Sequence, residues 1–224
     1  MPGRDATSKK TPEKLSLAVL AGGKSERMGQ DKALKPFLGH TLIERVLDRL
    51  SGLAEEIIVT TNRPEQYTFL GLPLYPDLLP GRGPLGGLYS SISAVHSSLV
   101  AAIACDMPFA SCAIFEYELD LLLRNNLDAV LPRGRNGTEP LHAIYRCETC
   151  LPAIRSALAA GERKVISWLP QVKVEYITPP ELAQLDPLGL AFWNLNTPEE
   201  FAAAQRAEVP LWANLIKSTG VSIE

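Results

Sequence analysis

An apolar strand that runs directly into a glycine-rich, cationic loop constrains this chain more than any other feature. Leu17 to Leu20 is an apolar run that stops at Ala21, as a buried parallel strand does where it meets a loop. Gly22 and Gly23 follow, and adjacent glycines let the backbone approach a ligand closely because no Cβ stands in the way. The same stretch carries the cations Lys24, Arg27 and Lys32. Backbone N–H donors and positive charge together are what a phosphate chain requires, so this stretch predicts a phosphate-binding site.

Two common phosphate-binding motifs do not describe this loop. The P-loop needs a glycine, four residues and then Gly-Lys-Ser/Thr, whereas here Gly29 is followed by Gln30. The dinucleotide-binding pattern GxGxxG is also absent. The loop follows a longer pattern of its own, LAGGKSERMGQDKA.

Composition and charge favour one domain that binds a small anion. The chain has 224 residues, of which 46% are hydrophobic and 21% charged, as expected for a globular domain with a sizeable core. We predict a disordered tail over residues 1–14, one domain over 15–206 and a C-terminal tail over 207–224. The net charge of −3 argues against broad binding to nucleic acid or to a membrane surface. A local cationic loop in an acidic protein indicates a small anionic ligand instead.

The amino terminus and the cysteines indicate a compartment. The first residues are polar and lack the apolar core of a secretory signal, and no apolar run approaches the length of a membrane span. We therefore expect a cytoplasmic protein, with Cys105, Cys112, Cys147 and Cys150 as reduced thiols. The spacing of Cys147 and Cys150 permits a metal or redox interpretation, but no second pair of cysteines or histidines completes a zinc site.

Short apolar runs alternate with helical patterns through the first part of the chain. The predicted strands after the first are Glu56–Thr61, Leu74–Pro76, Val100–Ala104 and Ala129–Leu131. This alternation predicts an α/β fold, a doubly wound and mostly parallel sheet with helices on both faces. Ligands of such sheets bind at the carboxyl ends of the strands, which is where Asn62, Asp77 and Asp106 stand.

Asp106 is the residue most suited to hold a metal ion. A carboxylate at the end of a buried strand, beside a phosphate-binding loop, can bind Mg²⁺ through its oxygens. From the residues alone, the alternative is an aspartate that caps the following turn.

The pattern LAGGKSERMGQDKA resembles the nucleotide-binding signature of the nucleotidyltransferases that activate sugar phosphates and pterin cofactors. The match is closest to the molybdenum cofactor guanylyltransferases. The resemblance covers about Leu15 to Arg206 and is weak between Leu121 and Gln184. It implies a Rossmann-like fold of the nucleotide-diphospho-sugar transferase type. It also implies transfer of GMP from GTP to molybdopterin, with release of pyrophosphate and with Mg²⁺ as cofactor.

The resemblance assigns roles to residues of the first half of the chain. It implies catalytic roles for Lys32, Arg27 and Asp106, with Asp106 also the metal ligand. The implied nucleotide contacts are Leu20, Ala21, Gly22, Gly23, Lys32, Thr60, Asn62, Asp77 and Asp106. The double-glycine form of the loop goes with guanine in this family, which favours GTP. Many members carry an asparagine at the position of Thr60, so either Thr60 or Asn62 contacts the base or the ribose.

The resemblance also implies a pterin side of the site. Its candidate residues are Gly86, Arg163, Lys164, Asn194 and Asn196. Gly86 lies in a second predicted glycine-rich loop, Pro80 to Gly87, whose alternative role is that of a plain connector. The alternative for Asn196 and Thr197 is that they only cap the last helix. His142 has no motif around it, and we expect it to be structural.

Other functions remain open on the sequence alone. One alternative is a molybdopterin cytidylyltransferase or a sugar-phosphate nucleotidyltransferase. A second is a nucleotide-binding regulatory subunit without turnover. For the enzyme, we expect no nucleic-acid or membrane partner, and transient contact with proteins that deliver or accept the molybdenum cofactor.

Overall fold

An eight-stranded β-sheet forms the centre of the protein in a computed structural model, which describes residues 13–22, 31–134 and 137–207. The strands are β1 (Leu15–Leu20), β2 (Pro36–Phe37), β3 (His40–Thr41), β4 (Glu56–Thr60), β5 (Leu74–Tyr75), β6 (Leu99–Ala104), β7 (Ala129–Gly134), β8 (Gly137–Thr138), β9 (His142–Arg146) and β10 (Val174–Ile177). The order across the sheet is β10-β7-β9-β6-β1-β4-β5, with β8 paired to β7. Strands β2 and β3 form a separate two-stranded hairpin.

The sheet is mostly parallel, as predicted. Strand β1 lies between β4 and β6 and is parallel to both, so Leu20 is level with Thr60 on one side and Ala104 on the other. Strands β4 and β5 are parallel, as are β7 and β10. Strand β9 is antiparallel to its neighbours β6 and β7. Its first residue therefore lies at the edge where the parallel strands end.

Helices cover both faces of the sheet. They are α1 (Leu42–Arg49), α2 (Gly83–Ala94), α3 (Cys112–Arg124), α4 (Cys147–Ala159), α5 (Pro179–Leu185) and α6, which runs from 198 to 207, where the described residues end. Alternate residues of β1 enter two different cores, because successive side chains of a strand point to opposite faces. Leu17 and Val19 pack in the core that contains residues of α1, α3 and α5, whereas Ala18 and Leu20 pack in the core of α2 and α4.

Side-chain caps define where several helices begin. The hydroxyl of Thr41 accepts a hydrogen bond from the N–H of Glu44, and the Glu44 carboxylate accepts one from the N–H of Thr41, which is a complete capping box. Thr197 and Glu200 make the same reciprocal pair at the start of α6. Thr197 thus caps α6, which is the structural role that the sequence left open for it.

One predicted boundary is wrong. The stretch from Pro80 to Gly87 is not a loop throughout, because α2 begins at Gly83, with Pro84 in its first turn. Residues 192–196 form no strand, since this segment packs its apolar side chains beside the sheet without pairing along it. The carbonyl of Lys14 accepts from the N–H of Leu99 at 3.1 Å, and residues 1–12 of the predicted tail lie outside the described residues.

Candidate active site

Three polar side chains from distant parts of the chain meet at the carboxyl edge of the sheet. The Nζ atom of Lys32 donates to Oδ2 of Asp106 at 2.7 Å and to Oδ1 of Asn196 at 2.6 Å. The lysine side chain is 13% exposed and the aspartate 22%, so the ion pair is well shielded from solvent. All three residues were predicted as site residues, and the structure brings them together.

Backbone hydrogen bonds place this cluster at the ends of β1 and β6. The N–H of Cys105 donates to the carbonyl of Leu20 at 3.2 Å, which continues the parallel pairing beyond β6. The carbonyl of Asp106 accepts from the N–H of Leu195, which holds the Asn196 segment against the strand end. The Asp31 side chain accepts from the N–H of Ala33 and caps the short 3₁₀ helix that begins with Lys32. Each side chain of the cluster is thus held by its own backbone anchor.

The unsatisfied oxygen of Asp106 fits a divalent cation. Oδ1 of Asp106 is buried and has no hydrogen-bond partner among the described residues, while Oδ2 pairs with Lys32. A buried carboxylate oxygen without a partner is costly. Asp106 and the amide oxygen of Asn196 are hard oxygen donors of the kind that Mg²⁺ prefers. Within the described ranges no group of three or more His, Cys, Asp or Glu residues is arranged for a metal. That suits Mg²⁺, which commonly takes one or two carboxylates and completes its shell with water and substrate phosphates.

Burial and the neighbouring carboxylates disfavour the thiolate form of Cys105, which lies next to Asp106. Burial raises the pKa of the Cys105 thiol, and the charges of Asp106 and Asp31 raise it further. The thiol therefore stays protonated near neutral pH, and the thiol form is a poor nucleophile.

Two main-chain groups at the end of β1 are already hydrogen-bonded within the sheet. The N–H of Ala21 donates to the carbonyl of Thr60 at 2.8 Å, and the carbonyl of Leu20 accepts from Cys105. Gly22 is exposed, and apart from its chain neighbours no atom of the described residues lies within 4 Å of the position that a Cβ would take there. The main chain is therefore freer to contact a ligand at Gly22 than at Leu20 or Ala21. The predicted residues Gly23 and Arg27, and the cation Lys24, lie outside the described residues.

The structure distinguishes Thr60 from Asn62. The hydroxyl of Thr60 is buried and lies 2.9 Å from the hydroxyl of Ser91 on α2, so this side chain faces the helix and not the sheet edge. Asn62 is exposed, and its Oδ1 accepts from the N–H of Asp77 at 3.2 Å. Of the two residues, Asn62 is therefore the better placed for a side-chain contact to a nucleotide, and the contact itself stays a prediction.

Asp77 is held in place by α2. Its Oδ1 accepts from the hydroxyl of Ser90 at 2.7 Å and from the N–H of Leu79 at 3.0 Å. The Ser90 hydroxyl also accepts from the N–H of Leu78. Asp77 therefore stands at the carboxyl end of β5, as the predicted parallel sheet requires. These hydrogen bonds also fix the orientation of its side chain.

The residues predicted for the pterin side do not form one group. Asn194 is next to the cluster, since its carbonyl accepts from the side-chain amide of Asn196. Gly86 lies inside α2, where a Cβ would stand 2.8 Å from the Cβ of Arg82, so close packing alone accounts for this glycine. Arg163 and Lys164 are exposed after α4, and no described contact joins them to Lys32, Asp106 or Asn196. A pterin role for Gly86, Arg163 and Lys164 stays a prediction.

Sequence reasoning missed Glu139. The antiparallel register of β6 and β9 pairs Ile103 with His142, and a turn in which the N–H of His142 donates to the carbonyl of Glu139 leads into β9 at the same edge. Burial raises the pKa of Glu139, and the charge of Asp106 raises it further, as proximity of two carboxylates requires. The signal was the position of Glu139 just before an antiparallel strand, which is visible only once the strand order is known.

The remaining candidates are buried and structural. His142 is fully buried and stacks on Phe115 with ring centroids 4.0 Å apart, and burial lowers its pKa to about 3. Cys147 and Cys150 are free thiols whose pKa values burial raises to about 12. The structure thus gives the redox interpretation of this cysteine pair no support.

Comparison with known proteins agrees with this geometry. Residues 17–174 match the family model described as the MobA-like NTP transferase domain. A probable molybdenum cofactor guanylyltransferase from Pelotomaculum thermopropionicum is 35% identical over 187 residues, which cover 84% of this chain and 90% of the relative. Another from Peptoclostridium acidaminophilum is 36% identical over 190 residues, covering 83% and 86%. The crystal structure of molybdopterin-guanine dinucleotide biosynthesis protein A from Archaeoglobus fulgidus superposes with a TM-score of 0.75 at 26% identity, covering 87% of this chain and 99% of that one.

The fold and the polar cluster at its carboxyl edge define a nucleotidyltransferase. The chain belongs to the family of the MobA-like NTP transferase domain, which the resemblance in its first loop indicated. None of the helices that the structure describes combines the length and the apolar character needed to span a bilayer.

Proposed function

We propose that this protein transfers GMP from GTP to the terminal phosphate of molybdopterin and releases pyrophosphate. The observation that carries the proposal is the convergence of Lys32, Asp106 and Asn196 at the carboxyl edge of the sheet. All three are among the residues to which the family resemblance assigns a role. The names of the relatives, which are 30–36% identical, support guanine as the base and the molybdenum cofactor as the acceptor.

The reaction is a substitution at the α-phosphorus of GTP. An oxygen of the acceptor phosphate forms the new bond to this phosphorus, and the bond to the α–β bridging oxygen breaks, so pyrophosphate leaves with the electron pair. The acceptor phosphate is already anionic near neutral pH, so the step needs no general base. Positioning and charge neutralisation are then the main tasks of the protein.

Lys32 and Asp106 divide these tasks between them. Lys32 places its ammonium at the strand end, where it offsets the negative charge of the phosphates. Asp106 and Asn196 offer the oxygens that would hold Mg²⁺, which when bound neutralises phosphate charge and supports in-line geometry. We place Arg27 beside the same phosphates, and the main chain of Leu20, Ala21, Gly22 and Gly23, with Asn62 and Asp77, on the nucleoside side.

The competing functions have less support. A cytidylyltransferase or a sugar-phosphate nucleotidyltransferase would use the same sheet edge, but the relatives named above are guanylyltransferases. A regulatory subunit without turnover would not need the ion-paired Lys32 and Asp106 together with an unpartnered carboxylate oxygen. We further infer that the reaction takes place in the cytoplasm, and that proteins delivering or accepting the molybdenum cofactor contact this one transiently.

A product assay tests the proposal directly. The protein is incubated with molybdopterin, Mg²⁺ and each of GTP, CTP, ATP and UTP, and the dinucleotide product is identified by mass spectrometry. We expect stoichiometric pyrophosphate and a guanine dinucleotide from GTP, with little product from the other three. A cytosine dinucleotide as the main product, or GTP binding without pyrophosphate release, would overturn it.

A further inference from the structure

Tyr67 places a phenol hydroxyl in the apolar core, at a position to which neither the family resemblance nor the predicted site residues assign a role. It stands between two short 3₁₀ turns, Pro64–Gln66 and Thr68–Leu70, that follow the end of β4. Its side chain is fully buried and belongs to the core that also contains Ala33. No group of the described residues meets the hydroxyl at ordinary hydrogen-bond geometry. A buried hydroxyl without a full partner is costly, so packing alone would favour phenylalanine here.

Two polar side chains lie beside this hydroxyl. Burial is the main cause that raises the pKa of Tyr67, and the charges of Cys105 and Asp31 and a loose contact with the Asp31 carboxylate raise it further. The hydroxyl of Thr61 acts in the opposite direction. A hydrogen bond that the phenol donates favours its neutral form, whereas one that it accepts favours the phenolate. The Tyr67 hydroxyl therefore faces Asp31 as a donor and Thr61 as an acceptor.

Thr61 is fixed where β4 ends. Its N–H donates to the carbonyl of Tyr75 at 2.8 Å, and its hydroxyl accepts from the N–H of Arg63 at 3.2 Å. Successive strand residues point to opposite faces, so Thr61 faces the core of Tyr67 while Thr60 faces α2. Because the Thr61 hydroxyl already accepts one hydrogen bond, its own proton is free to be donated to Tyr67.

Asp31 connects this hydroxyl to the polar cluster at the sheet edge. Its Oδ1 accepts from the N–H of Ala33 at 3.2 Å, and this cap starts the 3₁₀ helix whose first residue is Lys32. Lys32 is the residue that donates to both other members of the cluster. A carboxylate can accept about four hydrogen bonds, so Asp31 can hold the cap and the Tyr67 hydroxyl at once.

We propose that Tyr67 is a positioning residue for GMP transfer: its hydroxyl fixes the Asp31 cap, and the cap fixes Lys32. A 3₁₀ helix of three residues has few hydrogen bonds of its own, so its place depends on such anchors. A small displacement of a positioned charge costs rate, because the charge must match the phosphates in the transition state. The role in transfer rests on the proposed function, whereas the placement of Lys32 can be measured without turnover.

Steady-state kinetics of Tyr67→Phe test the role in transfer. We expect kcat to fall about tenfold, with the KM for molybdopterin unchanged, because the lysine is less well placed. The melting temperature should not fall, since the variant only removes a poorly paired polar atom from the core. The matched control is Tyr117→Phe. The Tyr117 hydroxyl donates at 2.9 Å to Glu181, a carboxylate that caps α5, so kcat should stay the same there.

Two further measurements follow the path through Asp31 to the lysine. Trace acetylation with acetic anhydride, read by peptide mass spectrometry, reports how well Lys32 is shielded by its ion pair. Tyr67→Phe should raise the labelling rate of Lys32 severalfold relative to the exposed Lys173. In a double-mutant cycle, Asp31→Ala should lower kcat by itself, and adding Tyr67→Phe should lower it no further, because both changes release the same cap.

Unchanged kcat and unchanged Lys32 labelling in Tyr67→Phe would overturn the proposal. A lower kcat accompanied by a lower melting temperature would also overturn it, because the tyrosine would then serve packing. Effects that multiply in the double variant would show that Tyr67 does not act through Asp31, which equally contradicts it. Absence of any transfer by the wild-type protein would contradict the proposed function, and the labelling of Lys32 would still decide whether Tyr67 positions the lysine.

Discussion

The two halves of the sheet edge differ in how they are built. In one half, β6, β1, β4 and β5 run parallel, so each strand delivers the residues that follow it to the same edge. In the other half, the antiparallel strand β9 is inserted beside β6, and it delivers the residue before it. Our proposal places the nucleotide-binding residues at the regular half. One inverted strand thus brings a residue that precedes a strand, Glu139, to an edge that the parallel strands supply with the residues that follow them.

Asp106 lies where the two halves of the edge meet, so its removal should have the largest effect on GMP transfer. Asp106→Ala deletes the carboxylate that pairs with Lys32 and offers oxygen to a cation. We expect the rate of GMP transfer to fall by about 10³-fold or more, measured as pyrophosphate release, because charge neutralisation at the phosphates is lost. Asp120→Ala, which breaks only a surface ion pair with Arg124, should retain full activity. A comparable loss in both variants would mean that Asp106 has no special role.

The cation of the cluster should have the next largest effect. Lys32→Met keeps the apolar stem of the side chain but removes its charge, and it leaves Asp106 and Asn196 without their shared donor. We expect kcat to fall by about 10²-fold, the usual effect of losing one positioned donor, as measured by steady-state kinetics. Lys173→Met, at an exposed position, is the control. If Lys32→Met raised only the KM for GTP, the lysine would bind substrate without stabilising the transition state.

Asn62 and Thr60 test whether the nucleoside belongs to the parallel half. Asn62→Ala should raise the KM for GTP about tenfold and leave the KM for molybdopterin unchanged, since Asn62 stands beside Asp77 at the edge. Thr60→Val should instead lower the stability by about 1–3 kcal/mol, because Ser91 loses its buried partner, while the KM for GTP stays the same. Steady-state kinetics and thermal denaturation measure both. A raised KM for GTP in Thr60→Val, with no change in Asn62→Ala, would instead indicate that Thr60 contacts the nucleotide.

Two adjacent glycines of α2 should show the smallest effect and separate packing from ligand binding. A Cβ on Gly86 would stand 2.8 Å from the Cβ of Arg82 and 3.0 Å from the carbonyl of Leu79, whereas one on Gly87 would meet only a leucine methyl at 3.4 Å. Gly86→Ala should therefore cost about 1–2 kcal/mol of stability, and Gly87→Ala should be nearly neutral. Chemical denaturation measures both. A changed KM for molybdopterin in Gly86→Ala, without lost stability, would favour the predicted pterin role.

The sequence predicted the residues at the parallel half of the edge because a strand end can be predicted from neighbouring residues alone. Each apolar run followed by a polar residue predicts a strand end, and this placed Asn62, Asp77 and Asp106 at one edge without knowledge of the strand order. The same rule does not say whether a side chain at a strand end faces a packed helix or the sheet edge. It therefore could not decide whether Thr60 or Asn62 contacts the nucleotide. The register that shows Thr60 facing Ser91 depends on tertiary packing.

The residues at the antiparallel half of the edge could not be predicted from the sequence, for a different reason. Glu139 comes to the edge only because β9 is antiparallel, and strand direction depends on pairings between residues distant in sequence. The loop prediction for Pro80 to Gly87 relied on its glycines. It overlooked that proline is common in the first turn of a helix, which is where Pro84 stands. Glycine inside that helix reflects close packing, which no short motif records.

The most direct measurement is the coupling between Mg²⁺ and GTP at Asp106. Calorimetric titration gives the Kd for GTP with Mg²⁺ and with chelator, for the wild-type protein and for Asp106→Asn, which keeps the side-chain size but not the charge. If Asp106 supplies the metal-binding oxygen, Mg²⁺ should tighten GTP binding at least tenfold in the wild-type protein and hardly at all in the variant. An equal Mg²⁺ effect in both proteins would contradict the assignment of the metal site to the end of β6.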